Sequence, residues 1–141
     1  MKKQALYILA TSSLVVMLAT TTCIFAASST RIETELPFDF TVGNKTLPAG
    51  TYTITEESHD VLRVRSVDHR SSVAILTNVI KGKSPKNATC LIFKRYGDRY
   101  FLRQAWLGLA GGYELGASRI ELELAKERSQ REPEVITIVA R

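Results

Sequence analysis

From Arg31 onward apolar and polar residues alternate with period two, the signature of half-buried β-strands. Phe38, Phe40 and Val42 share one face, with Asp39 and Thr41 on the other. Tyr52 and Ile54 are set against Thr51, Thr53 and Thr55, a good solvated β surface. Leu62 and Val64 are set against Arg63 and Arg65. The pattern predicts strands over residues 32–36, 38–42, 51–55, 61–67 and 135–139. Turn chemistry separates them at Gly43-Asn44-Lys45, Pro48-Ala49-Gly50, Glu57 to Asp60 and Asp68 to Ser71. Pro37 marks a sheet edge or a break. Residues 72–78 are apolar on both faces through Val73, Ala74, Ile75 and Leu76, which predicts a central strand.

The sharpest local signal is a hairpin over residues 88–107, with Gly97-Asp98 as its two-residue turn. Such a turn pairs Tyr96 with Arg99, Lys94 with Phe101 and Phe93 with Leu102. It then carries the pairing on to Ile92 with Arg103 and Leu91 with Gln104. One face therefore holds Leu91, Phe93, Leu102 and Trp106, a core set. The other holds Cys90, Ile92, Lys94, Tyr96, Arg99, Phe101 and Arg103. Gly108 to Gly112 reads as a flexible stretch ending the sheet run.

Residues 118–128 carry two signals. Ile120, Leu122 and Leu124 alternate as in a strand. Ser118 and Glu121 form a capping box ahead of helix formers, and Arg119 and Glu123 suit a helix surface pair. The balance predicts a helix of about ten residues. Pro133 separates it from the last strand. Short strands with one late helix predict a mainly β fold. The expected form is an antiparallel β-sandwich or small barrel, with one C-terminal helix before a last strand.

The first 26 residues are of a different kind. Met1-Lys2-Lys3 is positive, Ala5 to Ala19 is mostly apolar, and small residues follow up to Ala26. This order predicts a cleavable secretory signal over 1–26 and a single β-rich domain over 27–141, exported to the periplasm or beyond the cell. A membrane contact is expected only through an uncleaved signal. Thr20-Thr21-Thr22 ahead of Cys23 is a poor lipidation box. The remaining chain is long enough to bury a core without staples. Its net charge falls from +5 to +3 once Lys2 and Lys3 leave, too mild for a nucleic-acid arm. Cys90 becomes its one thiol, so no internal disulfide forms; in an apolar strand it reads as a small buried hydrophobe.

Catalytic and metal chemistry find little support. His59 and His69 sit in predicted turns, and no Gly-x-Ser-x-Gly elbow exists. His59-Asp60 and Asp68-His69 flank one strand about 20 Å long, too far apart to share an ion. Asp39, Glu56, Glu57 and Asp98 fall on turns or outward positions without pairing as a glycosidase requires. The acidic groups of 121–127 read as a solvated helix face. Gly108 to Gly112 lacks the spacing and lysine of a phosphate cradle. The expectation is a non-enzymatic protein with no cofactor and no metal.

The run Leu36-Pro37-Phe38-Asp39-Phe40-Thr41-Val42-Gly43-Asn44-Lys45-Thr46-Leu47-Pro48-Ala49-Gly50-Thr51-Tyr52 resembles a family of small exported proteins of acidobacterial type, of unknown function, with a PFDFxVGxKxLPAGxY motif. The resemblance continues through Leu76-Thr77-Asn78, residues 93–102, residues 118–128 and the Val-Ile-Thr-Ile-Val end. It implies a signal peptide, one domain and no established activity, and it supplies no functional residue. The strand-like alternation at Ile120 to Leu124 departs from the plainly helical family pattern.

What remains is binding. Lys94, Tyr96, Arg99, Phe101 and Arg103 form a basic-aromatic face suited to an envelope or extracellular glycan or polyanion, with Lys81, Lys83 and Lys86 extending the charge. The competing expectation is that this face is merely solvated, or covered by a second sheet or by the helix. An assembly subunit pairing through edge strands around Pro37 or Val135 is the alternative function.

Overall fold

The computed structural model describes residues 30–108, 111–128 and 131–140, so the expected leader lies outside the described residues. The chain is mainly β. Its strands are β1 (Arg31–Leu36), β2 (Phe40–Val42), β3 (Lys45–Leu47), β4 (Gly50–Ser58) and β5 (Val61–Ser66), then β6 (Ser72–Lys81), β7 (Cys90–Tyr96), β8 (Arg99–Trp106) and β9 (Gly111–Leu115). Helix α1 (Arg119–Glu127) precedes the last strand, β10 (Glu134–Val139).

All ten strands belong to one sheet with the order β1-β4-β5-β6-β9-β8-β2-β3, while β7 pairs β8 and carries β10 on its far edge. The sheet is not closed into a barrel. It is mixed rather than purely antiparallel, because β2 runs parallel to β8 through Phe40↔Tyr100 and Thr41↔Phe101. In a flat sheet β4 and β2, five places apart, would lie about 24 Å from each other. Yet the Phe40 and Tyr52 rings meet edge to face at 5.0 Å, so the sheet folds back on itself. The enclosed core draws Ile32, Tyr52, Ile54, Leu62 and Val64 from one half and Leu91, Phe93, Leu102 and Ala105 from the other.

The expected period-two strands form because their apolar faces point into this core; Ile54, Leu62, Val64, Leu91 and Phe93 are fully buried. Strand β6 is central as expected, pairing β5 through residues 72–76 and β9 through residues 77–81. Only one of its apolar faces is covered, however, and Leu76 is 71% exposed. The Gly-rich stretch does not end the sheet: Gly111–Leu115 is strand β9, held between β6 and β8. Glycine is needed there, since a Cβ on Gly112 would lie 2.6 Å from the Trp106 ring. Cys90 is fully buried, with the Ser84 hydroxyl 3.5 Å from its sulfur.

Candidate ligand surface

The β7–β8 hairpin positions the five residues expected to bind. Gly97 takes φ +65°, as the turn requires. The predicted register holds from Tyr96↔Arg99 to Phe93↔Leu102. There it slips: Ile92 pairs Gln104 rather than Arg103, and Leu91 pairs Ala105. Arg103 is the extra residue of a β-bulge. Beyond a bulge the alternation changes phase. Ala105 and Leu107 therefore enter the core, and Trp106 moves to the opposite face beside Cys90, correcting its expected place in the core set.

Lys94, Tyr96, Arg99, Phe101 and Arg103 do share one face, but its centre is closed. Tyr96 is 8% and Phe101 2% exposed, packed edge to face at 5.8 Å. Arg99 is exposed; Lys94 and Arg103 are half-buried. Helix α1 lies across the face. Its N-cap Ser118 accepts a hydrogen bond from the Glu121 amide at 3.1 Å, the first half of the expected capping box. The Glu121 carboxylate is turned to the sheet instead. The Tyr96 hydroxyl donates to Glu121 Oε1 at 3.4 Å, and Arg103 Nη1 donates to Glu121 Oε2 at 3.2 Å. Glu121 is 3% exposed, which corrects its expected place on a solvated helix face. Burial, and then the Glu121 charge, push the Tyr96 hydroxyl pKa up. Among the described residues, Arg103 Nε is buried without a partner.

Beside this covered face lies an open cleft of about 300 Å³ that the sequence did not reveal. Arg95, Tyr96 and Gly97 at the hairpin tip form one wall. Arg128 and Arg131 after α1, with Pro133 and two carboxylates, Glu132 and Glu134, form the other. Arg95 is committed: its Nε donates to Gly97 O at 2.7 Å and its Nη1 to Glu134 Oε2 at 3.2 Å. The Arg128 amide ends the helix on Leu124 O, and the Arg131 amide bonds Arg128 O, so the helix terminus sets both side chains at the cleft. The Arg128 guanidinium rests over the turn, where a Cβ on Gly97 would come within 2.7 Å of it. Among the described residues neither Arg128 nor Arg131 has a carboxylate at ion-pair distance. Lys81, Lys83 and Lys86 do not join this charge. Their loop is anchored through Ser84 at Cys90, about 20 Å along β7 from the turn.

His59 and His69 are exposed, and no cluster of three metal-ligating side chains occurs among the described residues. Elsewhere, burial and then a hydrogen bond to Glu56 push Tyr113 up to about 12, and burial raises Tyr52. No described helix is long and apolar enough to cross a membrane.

Fold and cleft together define a mainly β chain with a bent mixed sheet and an arginine-lined cleft at one hairpin tip. No protein-family model, curated protein or solved structure matches the chain.

Proposed function

We propose that this is an exported, non-enzymatic β module that binds an anionic glycan or other polyanion of the envelope or surroundings at the arginine cleft. The observation that carries the reading is the placement of Arg128 and Arg131, uncommitted among the described residues, against the turn of the β7–β8 hairpin. Planar guanidinium groups favour carboxylate, sulfate or phosphate oxygens bidentately. The exposed Arg99 adds charge beside the same turn.

The test is retention of the purified chain on immobilised heparin and polygalacturonate at low and high salt. Arg128→Glu/Arg131→Glu is expected to lower affinity about tenfold or more, in line with the loss of two charge-assisted contacts. Unchanged retention removes the cleft from consideration.

A second reading, assembly through an edge strand, draws support from β10, which lies at a sheet edge with Val135 60% and Val139 52% exposed. A monomer by light scattering at high concentration counts against it.

A further inference from the structure

Helix α1 is held in an unusual way. Of its nine residues only Glu121 is buried, and Leu122 is 52% exposed. A helix this short is not stable alone, so its contact with the hairpin keeps it folded. At the centre of that contact is a carboxylate rather than a greasy stripe. Desolvating a carboxylate and a guanidinium offsets much of their attraction, so such an anchor is weak for its burial. It is also incomplete. Glu121 engages Arg103 at Nη1 and leaves Nε, on the side-on edge of the guanidinium, without a partner among the described residues. Arg103 keeps 16% side-chain exposure, so a solute has a route to it. On the approach to the helix, Gly116 and Ala117 are exposed, and nothing lies within 4 Å of a Cβ placed on Gly116.

Beneath the helix lie the paired Tyr96 and Phe101 rings next to Arg103, with Lys94 and Arg99 on the same face. We propose that α1 is a displaceable cover over a carboxylate-binding seat, and that the ligand it excludes is a uronate-type glycan. Glu121 holds Arg103 from within the chain as the ligand's carboxylate holds it once the cover lifts. The incoming group uses the side-on edge, Nε included, which Glu121 leaves idle. The rings stand edge to face, so one of them offers its flat face to the C–H face of a pyranose unit when the helix lifts. Lys94 and Arg99 flank them as a repeating polyanion requires, and the aromatic ring beside the guanidinium, rather than the charge, favours an acidic sugar chain over an acidic peptide. This rests on the anionic-glycan reading above, and it adds a second, gated site to the cleft.

The experiment uses the full chain with wild-type sequence, Glu121→Gln, Glu121→Gln/Arg103→Ala and Arg128→Glu/Arg131→Glu. Calorimetry measures binding of a galacturonate oligomer and of poly-glutamate, and hydrogen exchange follows the α1 amides. Glu121→Gln keeps the size and part of the hydrogen bonding, so the strands stay folded by circular dichroism. Its α1 amides are expected to exchange about tenfold faster, and it should bind the galacturonate oligomer about tenfold tighter than wild type, because the internal competitor has gone. Arg103→Ala in the same background should abolish that gain. In the wild-type chain, which avoids any folding defect, saturating oligomer should accelerate α1 exchange. Faster exchange in Glu121→Gln without tighter binding overturns the seat, and unaltered exchange overturns the cover. A larger gain for poly-glutamate overturns the glycan assignment. If Arg128→Glu/Arg131→Glu abolishes binding while Glu121→Gln gains nothing, the cleft stands and the cover falls. If Glu121→Gln gains and the cleft pair changes nothing, the seat stands and the cleft falls.

Discussion

Two hairpins in this molecule share a device and use it in opposite media. In β4–β5, Glu56 pairs Leu62 and Ser58 pairs Val61, leaving Glu57 as the bulged residue. In β7–β8 the bulged residue is Arg103. Each of these charged residues makes an ion pair. Glu57 meets Arg63 with both side chains more than 40% exposed. Arg103 meets Glu121 with side chains 16% and 4% exposed. The first bulge lies one residue from the end of its strand, so almost nothing downstream depends on its phase. The second lies mid-strand, and the faces of Gln104 through Leu107 depend on it. The contrast teaches that a bulge matters by where its phase change falls and by whether its ion pair is wet or dry, rather than by its presence.

The largest effect should come from removing the bulges. An alanine inserted in β7 between Ile92 and Phe93 gives Arg103 a partner and restores unbroken alternation, turning Leu91, Ala105 and Leu107 outward and Trp106 into the core. We expect a loss above about 4 kcal/mol, seen as failure to give a cooperative urea transition. The matching insertion in β5 between Val61 and Leu62, opposite Glu57, changes the phase of only the last residues before the turn and should leave a folded protein; if both insertions unfold the chain, the positional argument fails. Next comes Arg103→Ala, which strands the buried Glu121 carboxylate. The expected cost is about 2 kcal/mol by urea denaturation, a ceiling set by release of α1, which lets the carboxylate reach water. Smaller again is Gly112→Ala, where the added methyl meets the Trp106 ring: about 1 kcal/mol, with a shift in tryptophan emission.

The smallest effect belongs to the exposed pair. A hydrogen bond from Arg63, assisted by its charge, holds the Glu57 carboxyl below the usual glutamate range. A depressed folded-state pKa gives stability that is present above the unfolded-state value and lost as pH falls through the folded one. For a pair this exposed, Arg63→Gln should leave the urea midpoint within error while raising the Glu57 titration toward its ordinary value, read by carboxyl-carbon NMR. A midpoint change as large as that for Arg103→Ala would erase the distinction between the two hairpins.

Much of this architecture was legible in residue order. Alternation located most of the strands, Gly97-Asp98 set the hairpin register as far as Phe93↔Leu102, and Ser118 with Glu121 marked the helix start. The bulge was not legible, because nothing in Leu102-Arg103-Gln104 distinguishes a bulged arginine from an outward one. Trp106 was misplaced as a direct result. Strand β9 was hidden because two glycines read as punctuation, and the ring that demands Gly112 becomes its neighbour only after the sheet assembles. The capping glutamate announced a helix but not its target, since Arg103 lies 18 positions away and on another element. The cleft joins residues 95–97 to residues 128–134, a juxtaposition that only the packing of α1 and β10 creates.

Strand β6 carries a further consequence. Its first five residues are hydrogen-bonded into one half of the sheet and its last five into the other. A chain joined in this manner has no seam along which to separate: melting either half strips partners from the same continuous backbone segment. Thermal unfolding of the sheet should then be a single all-or-none event, with calorimetric and van't Hoff enthalpies in agreement, whatever α1 does beforehand.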